Sequence, residues 1–315
     1  MSRVPPDAQG YRLERHRVRS SFERAAGGYD AAAVLQQRVR DELHERLDLV
    51  RLEPDVVLDL GAGTGAGAQG LKRRYPRSRV VAIDLAEAML RQASRRQRLF
   101  RRFDRVCADA GALPLRDASV DLVVSNLALH WSDDPDRVFA ECRRVLKPGG
   151  LLTFTTYGPD TLVELRRAWA AADAHVHVNR FIDMHDLGDA LVRAGLAEPV
   201  MDVERHALTY VSVHDLMRDL KAIGGHNVND GRPRSLTGKG TLERMVAAYE
   251  TRRADGRLPA TFEVVYGQAW GPVGPVRSRT PGETAIPVSR IGRRNLLSIF
   301  KIQTSECLNL PANFV

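Results

Sequence analysis

The sequence predicts an α/β fold built on a mostly parallel sheet, and three observations lead to this prediction. Short apolar segments rich in β-branched residues alternate with helix-period stretches through residues 55–157. The first segment, residues 56–60, is followed by glycines at alternate positions, which allow a backbone turn to approach a ligand closely. Small or polar residues also follow the next predicted strands, at the edge where parallel sheets bind ligands.

The composition is that of a globular protein with 315 residues, 43% of them hydrophobic and 27% charged. No apolar stretch is long enough to span a bilayer, and the basic N-terminus lacks the hydrophobic segment of a secretory signal. The three cysteines, Cys107, Cys142 and Cys307, are far apart and have no metal-binding or redox spacing. We therefore expect a cytoplasmic protein with no metal and no membrane partner.

The net charge is +8, and basic residues cluster after the glycines and through residues 91–105. A surface of this sign attracts acidic partners, although such a run is also typical of a solvated helix face. No nucleic-acid motif accompanies these charges. We expect no nucleic-acid partner, while a basic RNA-binding module stays an alternative.

The N-terminal region is predicted to be a helical lid. Residues 1–19 are expected to be disordered, and residues 20–54 to form the lid. A capping-box spacing starts the first helix at Ser20, and the periodicity predicts a second helix over residues 31–49. Tyr29 lies at the break between them and is expected to face the ligand edge of the sheet.

Residues 55–270 are predicted to form one binding domain. Helices dominate residues 159–260, which are expected to form a cap over the sheet edge, and the Pro- and Gly-rich residues 271–315 are expected to be a disordered tail. The predicted strands are residues 56–60, 79–83, 105–108, 120–125, 151–156, a segment within 200–211, and 261–270. The predicted helices of this domain are residues 67–75, 86–99, 135–145, 161–172, 184–194, 213–223 and 240–253.

The strand ends supply candidate cofactor-binding residues. Asp84 ends the second strand 21 residues after Gly63, the interval at which an acid reaches the ribose hydroxyls of a nucleoside cofactor. The glycine spacing is not that of a dinucleotide site, and another kind of nucleotide fold stays an alternative. The candidate cofactor-binding residues are Gly61, Ala62, Gly63, Gly65, Asp84, Leu85, Asp109, Ala110 and Asn126.

This set resembles the class I S-adenosylmethionine-dependent methyltransferases. Further segments, residues 22–29, 125–131, 179–181 and 221–237, resemble the malonyl-acyl-carrier-protein O-methyltransferase family of biotin synthesis. The resemblance covers about residues 20–270. It implies a Rossmann-like fold with a seven-stranded sheet, S-adenosylmethionine as cofactor, and methylation of the malonyl carboxylate on an acidic acyl carrier protein.

The resemblance also implies candidates for catalysis. The acceptor carboxylate is already ionised, so no general base is required. Arginine matches the two oxygens of a carboxylate, and Arg180 is the first candidate, with Arg24 second. One oxygen must stay uncovered to attack. A salt bridge within the cap is the structural alternative for Arg180.

Aromatic rings near a sulfonium help through their negative faces. Tyr29 and Trp131 are the preferred candidates, followed by Tyr157 and Phe181, and core packing is the alternative for each. The predicted catalytic residues are thus Tyr29, Arg180 and Trp131.

Other functions stay open at this stage. In three alternatives, the acceptor is malonyl-coenzyme A, a free small acid or a quinone. The sequence does not determine which surface binds the carrier protein or what the oligomeric state is. In a further alternative, the protein is not a methyltransferase but resembles a related complex I assembly family that is associated with arginine hydroxylation. This activity would need metal ligands. His175, His177 and His185 are clustered, but their spacing matches no recognised metal site.

Overall fold

Seven strands form one sheet in the computed structural model, which describes residues 12–97, 101–232 and 236–273. The strands are β1 (Val56–Leu60), β2 (Arg79–Asp84), β3 (Asp104–Cys107), β4 (Val120–Ser125), β5 (Leu146–Tyr157), β6 (Ala197–Tyr210) and β7 (Leu258–Trp270). Their spatial order is β3-β2-β1-β4-β5-β7-β6. Strands β1 to β5 are parallel, and β7 is antiparallel to β5 and β6. The predicted mostly parallel seven-stranded sheet is confirmed.

The strand order reverses between β1 and β4. The chain first builds outward from β1 to β3 and then returns to place β4 on the other side of β1. A crevice opens at such a switch point, outside the carboxyl ends of the strands, and ligands bind there. The helices are α1 (Arg15–Ala25), α2 (Tyr29–Ala32), α3 (Val34–Arg46), α4 (Ala66–Arg74), α5 (Glu87–Arg96), α6 (Pro135–Val145), α7 (Val163–Ala170), α8 (Met184–Arg193), α9 (Val213–Ala222) and α10 (Lys239–Glu250).

Apolar clusters cover both faces of the sheet. Val57 of β1 belongs to the cluster that includes Leu43 of α3, whereas the next residue, Leu58, belongs to the cluster that includes Phe139 of α6. Adjacent residues of a strand point to opposite faces, so both faces of β1 are buried. This explains why the central strands are continuous apolar runs and do not alternate with polar residues.

The N-terminal boundary differs from the prediction. Helix α1 begins at Arg15 and not at Ser20, so the predicted disorder of residues 1–19 is wrong for residues 15–19. The start is fixed by a distant segment: the Glu14 N–H donates to the Val228 carbonyl at 3.0 Å, and Leu13 forms an isolated bridge with Asn229. Local sequence carries no sign of such a pairing. Residues 1–11 lie outside the described residues.

Two further boundaries differ from the prediction. The predicted helix over residues 31–49 is divided into α2, α3 and a 3₁₀ turn at Leu47–Leu49. Strand β5 begins at Leu146, before the Pro-Gly-Gly sequence that predicts the end of the preceding helix. Leu146 already pairs with Val120 of β4, and the register shifts before the next pair, Leu122 with Leu151. The predicted tail over residues 271–315 lies outside the described residues from residue 274 onward. No helix of the described chain is long and apolar enough to cross a membrane.

We predict that Gly267→Ala destabilises the sheet. Gly267 of β7 lies opposite Phe154 of β5, and an added Cβ would stand 2.3 Å from the Phe154 ring. Because Phe154 is fully buried, the overlap should cost about 1–3 kcal/mol of unfolding free energy. Urea unfolding measures this loss. Gly188→Ala in α8, where an added Cβ meets nothing within 4 Å, is the control and should be neutral or stabilising. Equal urea midpoints for Gly267→Ala and the unmodified protein would contradict the prediction.

Candidate active site

The loop after β1 has the backbone that its glycines predict. Gly61, Gly63 and Gly65 have φ values of 74°, 52° and 78°, which residues with a Cβ rarely adopt. An added Cβ would lie 2.2 Å from the Ala128 Cβ at Gly61 and 2.6 Å from the Ala93 Cβ at Gly65, whereas nothing lies within 4 Å at Gly63. The loop is therefore packed at both ends and open in the middle, so a ligand can approach the backbone of Gly63.

Asp84 fastens this loop to the end of β2. The Gly63 N–H donates to Asp84 Oδ2 at 2.8 Å, and the Ala86 N–H donates to Oδ1 at 2.8 Å. Burial raises the pKa of Asp84, while these backbone donors oppose the rise. Leu85 follows and packs in a small cluster with Trp131 and Phe22 of α1. The predicted glycines, Asp84 and Leu85 thus belong to one edge of the sheet.

Two further predicted cofactor-binding residues, Asp109 and Asn126, form polar contacts within the protein. Asp109, after β3, accepts from the Gly111 N–H at 2.7 Å and pairs with Arg15 of α1 at 2.8 Å. Asn126, after β4, donates to the Gln36 carbonyl at 3.0 Å and accepts from Thr155 Oγ1 at 2.9 Å. Asn126 therefore ties α3 to β5.

The lid is attached to the sheet by polar contacts. Both oxygens of Glu23 in α1 accept backbone N–H groups at the start of α5, from Glu87 at 2.9 Å and Ala88 at 3.0 Å. Asp30 accepts from Thr64 Oγ1 of the glycine loop at 2.6 Å and also pairs with Arg96. A carboxylate at a helix N-terminus is stabilised by the helix dipole, which favours the Glu23 contact.

Tyr29 lies between the cofactor edge and a cavity beneath the cap. Burial, followed by the nearby charges of Asp84 and Asp30, raises the pKa of Tyr29, so its phenol stays neutral. Tyr29 also contributes to the raised pKa of Tyr157, which burial mainly causes. The two phenols are therefore neighbours, although they come from the lid and from the end of β5.

The cavity encloses about 700 Å³, including its opening to solvent. Leu127 shapes one side with a φ of 47°, a strained value for a residue with a branched side chain. The lining residues come from the lid, the β4 and β5 ends, the cap and β7. They are Phe22, Tyr29, Gln36, Leu127, His130, Trp131, Tyr157, Thr161, Leu162, Leu165, His177, Val178, Asn179, Phe181, Leu220, Ile223, Gly225, His226, Asn227 and Phe262.

Two of the three predicted catalytic residues, Tyr29 and Trp131, line this cavity, as do Tyr157 and Phe181. Arg180 is exposed and does not line it. Its two neighbours, Asn179 and Phe181, line the cavity, whereas Arg180 does not. The role of Arg180 as the carboxylate partner stays a prediction.

Sequence reasoning missed most of the polar lining, namely Gln36, His130, Asn179, His226 and Asn227. None of them falls at a spacing that indicates a site. His130 directly precedes Trp131, and Asn179 directly precedes Arg180, so the segments that carry the resemblance were the available signal.

Only one of the three clustered histidines, His185, separates from the others in the structure. His177 Nε2 lies 2.8 Å from Asp173 Oδ1, and its ring stacks on Trp169 with centroids 3.8 Å apart. His175 joins this group, whose candidate ligand atoms lie within 4.8 Å of one another. His185 instead contacts Asp183 at the start of α8. The contacts of His177 are those of a packed side chain.

Asp59 lies beneath the glycine loop, and its buried carboxyl group is only partly hydrogen-bonded. Burial raises the pKa of Asp59 to about 7, opposed by a hydrogen bond from the Ala68 backbone. Its Oδ2 has no hydrogen-bond partner among the described residues. Between the ordinary pKa of 3.8 and this value, the folded chain holds a proton that the unfolded chain has lost.

We predict that Asp59 makes stability fall as the pH rises from about 4 to 7, by up to about 1.4 kcal/mol per pH unit. The contribution of Asp59 is present below its ordinary pKa and lost above its raised pKa. Asp59→Asn should flatten this part of the profile in urea unfolding, and Asp255→Asn, at an exposed carboxyl, should not. Parallel profiles for Asp59→Asn and the unmodified chain would disprove the assignment.

Comparison with known proteins identifies the family. Residues 58–154 match the model of the methyltransferase domain. A malonyl-[acyl-carrier protein] O-methyltransferase of Methylovorus sp. (strain MP688) is 55% identical over 271 residues, which cover 84% of this chain and 92% of the relative. The protein of the same name from Laribacter hongkongensis (strain HLHK9) is 56% identical over 272 residues, with 84% and 92% covered.

Solved structures agree with these matches at the level of the fold. The YcgJ protein of Bacillus subtilis has a TM-score of 0.52 and 17% identity, covering 74% of this chain and 99% of that chain. Phosphoethanolamine N-methyltransferase 2 of Haemonchus contortus, in complex with S-adenosyl-L-methionine, has a TM-score of 0.50 and 16% identity, covering 81% and 60%. On the sequence identities above, this chain belongs to the malonyl-[acyl-carrier protein] O-methyltransferase family of S-adenosylmethionine-dependent methyltransferases.

Proposed function

We propose that this chain methylates the free carboxylate of a malonyl group carried on acyl carrier protein and releases the methyl ester. The observation that carries the proposal is the common wall of two sites. Tyr29 stands between the glycine loop with Asp84 and an aromatic-lined cavity under the cap. Membership of the family supplies the acceptor, and the ester would serve a later step of biotin synthesis.

The residues present fit S-adenosylmethionine. The glycine loop leaves space above Gly63 where a ligand can lie against the backbone, and Asp84 is oriented by two backbone donors. We assign cofactor binding to the residues predicted from the strand ends, Gly61, Ala62, Gly63, Gly65, Asp84, Leu85, Asp109, Ala110 and Asn126. When bound, S-adenosylmethionine supplies a sulfonium methyl group, which a carboxylate oxygen accepts as the carbon–sulfur bond breaks and no proton moves.

The cavity residues serve alignment and the exclusion of water. Transfer of a methyl group to an ionised carboxylate needs an in-line approach more than acid–base assistance. Trp131 packs edge-on against Phe22 with centroids 5.1 Å apart, which fixes an aromatic wall between the cofactor edge and the cavity. In our proposal, Tyr29 and Trp131 present ring faces to the sulfonium.

The carrier protein would dock at the cavity mouth, by which we mean the surface around His226, Arg24 and Lys221. His226 lines the cavity, and its pKa is lowered by burial and by the nearby charges of Arg24 and Lys221. Both cations are exposed, and neither pairs with a carboxylate of the described chain. In the basic run of α5, by contrast, Arg91 pairs with Glu87 and Arg96 with Asp30. Charge at the mouth therefore favours an acidic carrier.

We place the reaction in the cytoplasm, where thiols such as Cys107 and Cys142, both free, stay reduced.

Mass spectrometry of malonyl-acyl carrier protein incubated with the enzyme and S-adenosylmethionine tests the function. We predict a gain of one methyl group on the malonyl carboxylate. Asp84→Ala should lose this product and bind S-adenosylmethionine at least about tenfold more weakly in calorimetry, since its carboxylate orients the loop and would contact the ribose. Malonyl-coenzyme A and free malonate, assayed in parallel, separate the alternative acceptors. Absence of the ester with folded, cofactor-binding enzyme would refute the proposal.

We predict that charge reversal at the mouth weakens carrier binding. The double variant Arg24→Glu/Lys221→Glu should raise KM for malonyl-acyl carrier protein about tenfold or more at low salt and make KM less sensitive to added salt, because steering charges have been removed. Arg95→Glu/Arg102→Glu, on the other basic region, is the matched control. A larger effect from the control would move the docking surface to residues 91–105.

A further inference from the structure

The cavity contains no charged side chain to meet the acceptor carboxylate. Its lining, as far as the chain is described, includes no lysine, arginine, aspartate or glutamate. The first predicted carboxylate partner, Arg180, is exposed outside it. A carboxylate that enters this cavity must therefore be oriented by neutral hydrogen-bond donors or by the cofactor charge.

Several polar side chains of the lining already have partners. Asn179 Oδ1 and Asn227 Oδ1 both accept from Asn229 Nδ2 at 2.8 Å, and Asn227 Nδ2 donates to the Val176 carbonyl at 2.6 Å. His177 contacts Asp173 and stacks on Trp169. These groups build the cap wall, and their hydrogen-bonding capacity is largely used.

Tyr157 keeps an unused donor. Its side chain is 7% exposed, and its hydroxyl oxygen accepts from Gln36 Nε2 at 3.3 Å. No acceptor for the hydroxyl proton is found in the described chain. Gln36 is held in turn by Asn126, which donates to its backbone carbonyl. The phenol is therefore oriented by a chain of contacts that begins at the end of β4, beside the cofactor edge.

His130 is the second unused group. Its ring lies against Tyr157 with centroids 4.6 Å apart and against Trp131 at 5.1 Å. Its Nδ1 is buried with no partner among the described residues, whereas Nε2 is not buried in this way. Burial lowers the pKa of His130 to about 3, so the imidazole is neutral. A buried N–H without an acceptor is costly, which favours the tautomer with its proton on Nε2.

We propose that the Tyr157 hydroxyl and the His130 Nε2–H receive the acceptor carboxylate as a pair of uncharged donors. This inference rests on the proposed function and names the residues that would orient its acceptor. A neutral pair fixes the direction of the carboxylate without neutralising its negative charge. An arginine fork would hold both oxygens and reduce their reactivity. After esterification the acceptor has lost that charge, so its hydrogen bonds to the pair weaken and the product is released.

The test compares variants in two measurements, namely kcat/KM for malonyl-acyl carrier protein and the preference for binding this substrate over holo-acyl carrier protein, which lacks the carboxylate. Tyr157→Phe and His130→Phe should each lose about tenfold or more in kcat/KM, as expected for the loss of one hydrogen bond to a charged group. Each should also lose most of the preference for the malonyl form. A purely structural role would weaken both carrier forms equally.

Tyr210→Phe, which removes a phenol hydroxyl outside the cavity lining, is the matched control and should change kcat/KM by less than about twofold, and Arg180→Ala tests whether Arg180 is the carboxylate partner. S-adenosylmethionine affinity, measured by calorimetry, should stay unchanged in all variants. If His130→Phe alters it, His130→Asn, which keeps a neutral donor, should restore part of the activity. Unchanged malonyl preference in Tyr157→Phe, or its loss in Arg180→Ala alone, would overturn the inference. Ester formation by the unmodified enzyme tests the proposed function separately.

Discussion

The hydrogen bond from the Gly63 N–H to the Asp84 carboxylate is the contact on which the rest of the site depends. It joins the loop after β1 to the end of β2 at 2.8 Å, beside the switch point of the sheet. The loop can make this contact because its glycines adopt positive φ at little cost. The contact positions the carboxylate whose charge, with that of Asp30, reaches Tyr29. The cofactor edge and the acceptor cavity therefore share a wall.

Helix α1 of the lid is attached differently from the core. The main apolar clusters lie on the two faces of the sheet, whereas α1 packs in a small cluster around Leu13, Val18 and Val228. Polar contacts complete its attachment, including Glu23 at the start of α5 and Glu14 with Arg232 of the cap. Few buried apolar contacts mean a smaller free energy of local opening. Helix α1 thus covers the cavity while contributing little to the stability of the sheet, whereas α3 packs into a main cluster through Leu35, Val39 and Leu43.

Charge is distributed unevenly between the mouth and the interior of the cavity. Arg24 and Lys221 act near His226 at the mouth, while the interior is aromatic and uncharged. Long-range attraction belongs at the surface, where it accelerates encounter with an acidic partner. In our proposal, neutral hydrogen-bond donors inside the cavity orient a carboxylate without cancelling its charge. The enzyme would thus attract an anion and keep it reactive.

The sequence alone determined the elements that depend on local pattern. The succession of strands β1 to β5 along the chain, the glycine loop and Asp84 follow from apolar runs, positive-φ glycines and a fixed interval between neighbouring strands. Tertiary structure decided the start of α1, which pairs with Val228, and the exposure of Arg180, whose neighbours took the cavity side. It also decided the pairing of Gln36 with Tyr157, 121 residues apart. Such contacts join segments with no shared periodicity, so only the packing of lid and cap against the sheet could define the acceptor site.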